Sequence, residues 1–121
     1  MKRAIIVGAT SGIGQEIAKV LLAQGWKIGI AGRRKELLTA FQERNPEQIA
    51  TQALDVTQKD AVLKLNGLIE QLGGMDLFLL CSGIGKQNRD LQPEIEIDTA
   101  RTNVVGFIRM TNAAYTYFRQ Q

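Results

Sequence analysis

Apolar positions along the chain alternate between two periods. Short aliphatic or β-branched runs at Ala4 to Val7, Lys27 to Ala31, Ile49 to Leu54 and Asp76 to Leu80 have the length of strands. The first and last are nearly all apolar, as in strands covered on both faces of a parallel sheet. Between these runs the period lengthens to that of a helix. Ile13, Ile17, Val20, Leu21 and Leu22 keep an apolar face from about Gly12 to Gln24, and Gly25 supplies the stop. A second helix is predicted from Arg34 to about Arg44, ended by Asn45-Pro46 because the residue before a proline is pushed out of helical geometry. A third has Thr57-Gln58-Lys59-Asp60 as a capped start, Val62, Leu65, Leu68, Ile69 and Leu72 as its buried stripe, and Gly73-Gly74 as its end. After a looser stretch from Gly83 to Gln92, one last helix is predicted from Pro93 or Glu94 to Arg119.

Strands separated by helices pair in parallel through right-handed crossovers, with helices on both faces. No internal repeat or low-complexity linker interrupts the pattern, so residues 1–121 form a single domain. The expected fold class is α/β, a Rossmann-type doubly wound parallel sheet of about four strands in the order 3-2-1-4. In that order a ligand sits outside the carboxyl ends of strands 1 and 4, where the order reverses.

The loops at that edge carry the candidate chemistry. Gly8 permits a sharp exit from the first strand, Gly12 lets backbone approach a pyrophosphate, and Gly14 lets the first helical turn press on the sheet. The helix then starts with unpaired N–H groups and its positive dipole end facing the loop, and Thr10, Ser11 and Ile13 lie within it. The hydroxyls of Thr10 and Ser11 add donors beside the same anion. The spacing is Gly-x3-Gly-x-Gly, and glycines alone also suit a purely structural strand-to-helix turn.

About 20 residues beyond this loop, where an NAD site places an acid for the ribose hydroxyls, stands Gly32-Arg33-Arg34. Fork-shaped guanidiniums suit a 2′-phosphate and stack on adenine, which points to NADP(H). The alternatives are a solvated helix start, or Glu36 reaching back to ribose. After the third strand, Asp55 can accept from an adenine amino group and Val56 can pack on the ring; Asp55 equally suits a helix-entry cap. After the fourth come Cys81-Ser82-Gly83-Ile84-Gly85, small residues over which a ribose can lie, with Cys81 read as a small buried hydrophobe.

Composition narrows the chemistry. At 45% hydrophobic and 22% charged residues the chain is ordinary for a globular protein, and no apolar stretch approaches the roughly 20 residues of a membrane span. Met1-Lys2-Arg3 and the short run after it are too brief for a secretory signal, so a cytoplasmic location is expected. The single cysteine fits a reducing compartment. The absence of histidine excludes imidazole triads and imidazole metal sites, and one cysteine builds no zinc centre, so no metal is expected. A net charge of +3, scattered except at Arg33-Arg34-Lys35, gives no nucleic-acid footprint.

Taken together, these residues resemble the amino-terminal half of a short-chain dehydrogenase/reductase. The resemblance rests on Gly8-x3-Gly12-Ile13-Gly14, the basic pair after strand 2, Asp55-Val56, Ser82-Gly83, and Asn103 in Thr102-Asn103-Val104-Val105-Gly106, in the family's order. It covers essentially the whole chain. It implies an NADP(H)-dependent oxidoreductase moving hydride between the nicotinamide and a small carbonyl or secondary alcohol. In that role Gly8, Thr10, Ser11, Gly12, Ile13 and Gly14 hold the pyrophosphate, Arg33 and Arg34 the 2′-phosphate, Asp55 and Val56 the adenine, and Ser82, Gly83 and Ile84 the central ribose. Two departures stand out. The family's Asn-Asn-Ala-Gly after the fourth strand is here Leu80-Cys81-Ser82-Gly83, and of its Asn-Ser-Tyr-Lys catalytic set only Asn103 is matched. Tyr115 and Arg119 mimic the Tyr-x-x-x-Lys spacing, but they follow Asn103 on the same predicted helix, and arginine's planar fork is a poor stand-in for a compact ammonium. Tyr115, Tyr117 and Phe118 are read as packing residues.

The implied fold is truncated relative to the full family fold. The fourth strand becomes an apolar edge, and the last helix, with Val104, Val105, Phe107, Ile108, Met110, Ala114, Tyr115 and Phe118, carries more apolar surface than four strands cover. A homo-oligomer through that helix is expected, and so is a parent protein longer than this sequence. The rival reading is a non-catalytic NADP(H)-binding or dimerisation module.

Overall fold

Ala4, Ile5, Ile6 and Val7 are all buried in β1 (Arg3–Val7), which lies inside the sheet as its unbroken apolar run requires. The computed structural model describes residues 2–8, 12–81, 90 and 92–120, apart from the side chains of residues 96 and 98–100. Beyond β1 the chain forms α1 (Gly12–Ala23), β2 (Lys27–Gly32), α2 (Lys35–Gln42), β3 (Ile49–Ala53), α3 (Ala61–Leu72), β4 (Leu77–Leu80) and α4 (Pro93–Ala100). A π-helical segment (Arg101–Gly106) and α5 (Phe107–Gln120) complete it. All strand pairs are parallel and the order is β3-β2-β1-β4, as expected from the sequence.

Alternation along β1 and β2 divides the core between the two faces. Ile5, Val7 and Ala31 pack with Leu65, Leu68, Ile69 and Leu72 of α3 and Met110 and Ala114 of α5. Ala4, Ile6, Ile28 and Ile30 pack with Ala18 and Leu21 of α1 and Leu38 and Phe41 of α2. Gly29 in β2 is required by this fit. A Cβ there would stand 2.7 Å from Ile5 Cδ1 and 3.1 Å from Leu68 Cγ, closer than packed carbon atoms sit.

Element ends follow the residue types. Gly25, at φ +86°, closes α1, and Gly73, left-handed at φ 88°, closes α3 with its N–H and that of Gly74 donating to Ile69 and Glu70 carbonyls. Two helix ends need correction. The second helix stops at Gln42, because Glu43 to Asn45 turn ahead of Pro46. The third begins at Ala61 with no side-chain cap from Asp60, whose carboxylate instead pairs with Lys64 at 3.3 Å.

The last helix is not uniformly α. Over Arg101–Gly106 it takes π geometry, with hydrogen bonds one residue longer than in an α-helix, a form that occurs mostly as single turns within α-helices and frequently at functional sites. The physical reason lies in Gly106, whose missing Cβ lets the backbone close on Val56: a Cβ there would fall 2.5 Å from Val56 Cγ2.

On α5, Met110 and Ala114 are buried, while Phe107, Ile108 and Tyr115, with Val104 and Val105 of the π segment before it, are 45–65% exposed. Tyr117 and Phe118 pack as expected, edge to face at 5.8 Å, and the Tyr117 hydroxyl accepts from the Met75 N–H at 3.2 Å. No helix among the described residues is long and apolar enough to cross a membrane.

Candidate functional site

Strand register gathers the candidate residues on one rim. Val7 is opposite both Ala31 and Leu80, and Gly32 is opposite Ala53, so the carboxyl ends of all four strands lie side by side. The ladder continues one residue further. Gly8 N–H donates to Ala31 O at 2.7 Å, Cys81 N–H to Val7 O at 2.7 Å, and Leu54 N–H to Gly32 O at 2.9 Å. These bonds set the exits of the loops that carry Gly8, Arg33, Asp55 and Cys81 along a single line.

At the centre, Gly8 and Gly12 have φ of +92° and +57°, conformations in which an L side chain is strained. No atom of the described residues lies within 4 Å of where a Gly12 Cβ would be, apart from its chain neighbours. Gly14 is buried in the first turn, and Ile13 is exposed. The backbone thus presents a helix N-terminus beside two glycines, a fit for an anion such as a pyrophosphate. Thr10, Ser11, Ser82, Gly83 and Ile84 lie outside the described residues.

Toward β2, Arg33 and Arg34 are both exposed. Arg34 occupies the N-cap of α2 with extended backbone and no side-chain cap, its carbonyl accepting from Leu37 and Leu38 at 3.2 Å. An arginine in place of the usual Ser, Thr, Asp or Asn leaves this N-terminus uncapped and flanked by two cations. Glu36 sits in the same first turn and is exposed.

Asp55 is half-buried after β3, and its Oδ1 accepts from the Thr57 N–H at 2.9 Å and the Thr57 hydroxyl at 2.7 Å. Burial pushes its pKa up, but the two Thr57 bonds and the Arg33 guanidinium outweigh that and hold the carboxyl below its ordinary range. Asp55 therefore stays ionised and rigid, in a local turn ahead of α3 rather than at its cap position. Val56 corrects an expectation. It is only 5% exposed and belongs to the core beneath Gly106, so its side chain has little surface for a ring. Cys81 is half-buried, and burial pushes its thiol pKa up, which suits a small packing residue rather than a nucleophile.

Asn103 is exposed in the middle of the π segment. That segment flanks the rim: Arg101 lines one hollow of about 590 Å³ with Asp55, Thr57, Lys59 and Lys64. Sequence reasoning passed over two residues that hold it there. Gly106 abuts Val56, and Arg109 Nη1 donates to the Val56 carbonyl at 2.8 Å. The signal was a glycine and an arginine three apart in the last predicted helix. A larger groove of about 690 Å³ runs between α3 and α5, lined by Val62, Ile69, Ile108 and Ala113 among others, and it holds none of the predicted site residues. No cluster of metal-ligating side chains occurs among the described residues.

A model of the short chain dehydrogenase family matches residues 2–121. An uncharacterized oxidoreductase of Staphylococcus haemolyticus is 35% identical over 98% of this chain and 53% of its own length. A second, from Mycobacterium tuberculosis, is 30% identical over 99% of this chain and 51% of its own. Among solved structures, a 3-ketoacyl-(acyl-carrier-protein) reductase from Brucella melitensis complexed with NADH aligns with a TM-score of 0.90 at 28% identity, over 98% of this chain and 50% of that one. A variant of actinorhodin polyketide ketoreductase with NADPH aligns at 0.82 and 27% identity, over 93% and 45%. The chain spans about half the length of the curated relatives it matches. With the family model matched from residue 2 to residue 121, the chain belongs to the short chain dehydrogenase family.

Proposed function

We propose that this chain is the cofactor-binding part of an NADP(H)-dependent oxidoreductase acting on a small carbonyl or secondary alcohol. The observation that carries the cofactor choice is the rim after β2, where Arg33 and Arg34 flank an uncapped N-terminus of α2. Two guanidiniums and free helix N–H groups favour a 2′-phosphate, whereas ribose hydroxyls call for an acid. The related solved structures contain NADH in one case and NADPH in the other, so the choice rests on this chain's own arginines.

A bound nicotinamide supplies or accepts the hydride. Gly8, Gly12, Ile13, Gly14, Thr10 and Ser11 hold the pyrophosphate, with Ser82, Gly83 and Ile84 under the adjoining ribose. Asp55, locked through Oδ1, keeps Oδ2 as an acceptor for the adenine amino group, and Val56 contributes through its backbone. Asn103 holds a proton-relay water from the π segment. The tyrosine and lysine that the family uses for proton transfer have no match in this sequence, so the 121-residue chain alone binds cofactor without reducing a carbonyl. The exposed Phe107, Ile108 and Tyr115 support self-association through α5.

The test is a fluorescence titration of NADPH and NADH into the protein as its gene encodes it. NADPH is expected to bind roughly tenfold or more tightly, and Arg33→Asp to reverse that order. NADH binding at least as tightly to the unsubstituted protein defeats the cofactor choice.

A further inference from the structure

Arg109 lies on α5, away from every residue that the glycine loop and the basic pair brought to attention, yet its guanidinium is turned inward. Its Nη1 donates at 2.8 Å to the carbonyl of Val56, which lies past the last ladder bond of β3, from Leu54 to Gly32. Arg109 is half-buried at the groove between α3 and α5, and Val56, whose carbonyl it meets, is buried. On its side-chain face the same Val56 meets Gly106, where a Cβ would come within 2.5 Å of Cγ2 and 3.0 Å of Cβ. One residue of the rim is thus gripped twice, at its carbonyl and at its side chain, by residues three apart on one helix face.

Gly106 closes the π segment, and Asn103 stands in its middle. A π turn has poorer geometry than the α-helix around it and persists only where tertiary contacts hold it. The contacts at Val56, with Thr102 and Gly106 buried on the inner side, are among those contacts here. We infer that Arg109 is a positioning residue that, through the Val56 carbonyl, fixes the π turn carrying Asn103 against the adenine side of the rim. The inference rests on the reading of that rim as a nucleotide site. Its consequence is that occupying the adenine side stiffens the turn at Asn103, although the two are presented by different elements.

The test uses the full-length protein and adenosine 2′,5′-bisphosphate, which carries the adenine and 2′-phosphate but no nicotinamide. Binding is measured by calorimetry, and hydrogen exchange is followed over residues 54–58 and 101–106. In the unsubstituted protein the probe is expected to slow exchange in both segments. In Arg109→Met it binds roughly three- to tenfold more weakly and slows exchange over 54–58 alone. Arg109→Lys, which keeps a donor, restores part of the effect at 101–106. Gly106→Ala reproduces the loss, and adding Val56→Ala, which removes the Cγ2 that a new Cβ would strike but keeps the Cβ at 3.0 Å, relieves it in part.

Undiminished slowing over 101–106 in Arg109→Met overturns the inference. So does a uniform rise of exchange through α1 and α3 in both Arg109 variants, which marks a general stability contact. A protein that binds the probe but never slows 101–106 defeats the inference and leaves the nucleotide site standing. A protein that does not bind the probe defeats the reading beneath it, and the inference with it.

Discussion

At the amino ends of its strands the sheet carries Arg3, Trp26, Gly73, Gly74 and Asp76; at the carboxyl ends it carries Gly8, Gly12, Arg33, Asp55 and Cys81. The residue types are much the same. At the amino rim Arg3 is bound to the molecule itself, its N–H and Nε donating to Asp76 Oδ2 at 2.9 and 3.3 Å and its guanidinium to the Gly73 carbonyl. Lys2 lies 5.5 Å from the centre of the Trp26 ring, and Gln48 donates to the Trp26 carbonyl at 3.2 Å. At the carboxyl rim Arg33 and Arg34 are exposed, and Gly8 and Gly12 take positive φ ahead of α1. Arginine and glycine therefore do not mark a site by identity. What separates the rims is whether the arginines are held by partners in the fold or left exposed at its edge.

The largest effect is expected on the carboxyl rim, at Gly12. Gly12→Val places a β-branched side chain at φ +57° at the start of α1. NADPH binding should weaken roughly a hundredfold or more, since only a Cβ-free loop admits a pyrophosphate so close. The cost in stability, from the left-handed backbone, is about 1–2 kcal/mol by chemical denaturation. Binding within about threefold of the unsubstituted protein would remove the carboxyl rim from the phosphate site.

The matching substitution on the other rim inverts the outcome. Gly74 has φ +135°, and a Cβ there would stand 2.5 Å from Arg3 Nη1, which must swing away from its own carbonyl partner. Gly74→Ala is expected to cost about 1–3 kcal/mol of unfolding free energy. NADPH affinity should stay within about twofold. A large loss of affinity with stability unchanged would mean that the two rims are not separate in function.

Reading the sequence located the carboxyl rim because its signals are local. Gly8, Gly12 and Gly14 follow an apolar run, Arg33 and Arg34 follow another, and strand order places both on one edge without any knowledge of contacts. Sheet order and all four strands were legible for the same reason, as were Gly25 and Gly73-Gly74 as helix stops. The π segment was not, since Pro93 to Gln120 keeps a helical pattern throughout. What distinguishes Arg101–Gly106 is a partner more than forty residues away in the chain, Val56, pressing on Gly106. The inward turn of Val56 and the grip of Arg109 were hidden likewise, because an arginine on an amphipathic helix reads as solvated until its acceptor is in view. Asp60 looked like a cap by type; the turn held by Asp55 and Thr57 came first in the chain and left it to Lys64.

The finest distinction between the rims is drawn by two aspartates with pKa values lowered for different ends. Asp76, at the amino rim, is lowered chiefly by the Arg3 N–H and side chain. Asp55 is lowered by Thr57 and Arg33 against the opposing pull of burial. Both carboxylates therefore bind protons less readily in the folded chain than in the unfolded one. Each contributes stability that is present above the unfolded pKa of about 3.9 and is lost as the pH falls through the lower folded value. Asp55→Asn and Asp76→Asn should each flatten the acid limb of the stability curve, with no change of slope between pH 6 and 8. Asp76 is exposed, and its effect should shrink as salt is added, whereas the Asp55 effect rests on short bonds to Thr57 that an amide oxygen still accepts. Only Asp55→Asn should also weaken NADPH, and by a few-fold, because the proposed site gives its second carboxyl oxygen the role of adenine acceptor. Equal weakening of NADPH by both substitutions would show that the carboxylates act through stability alone.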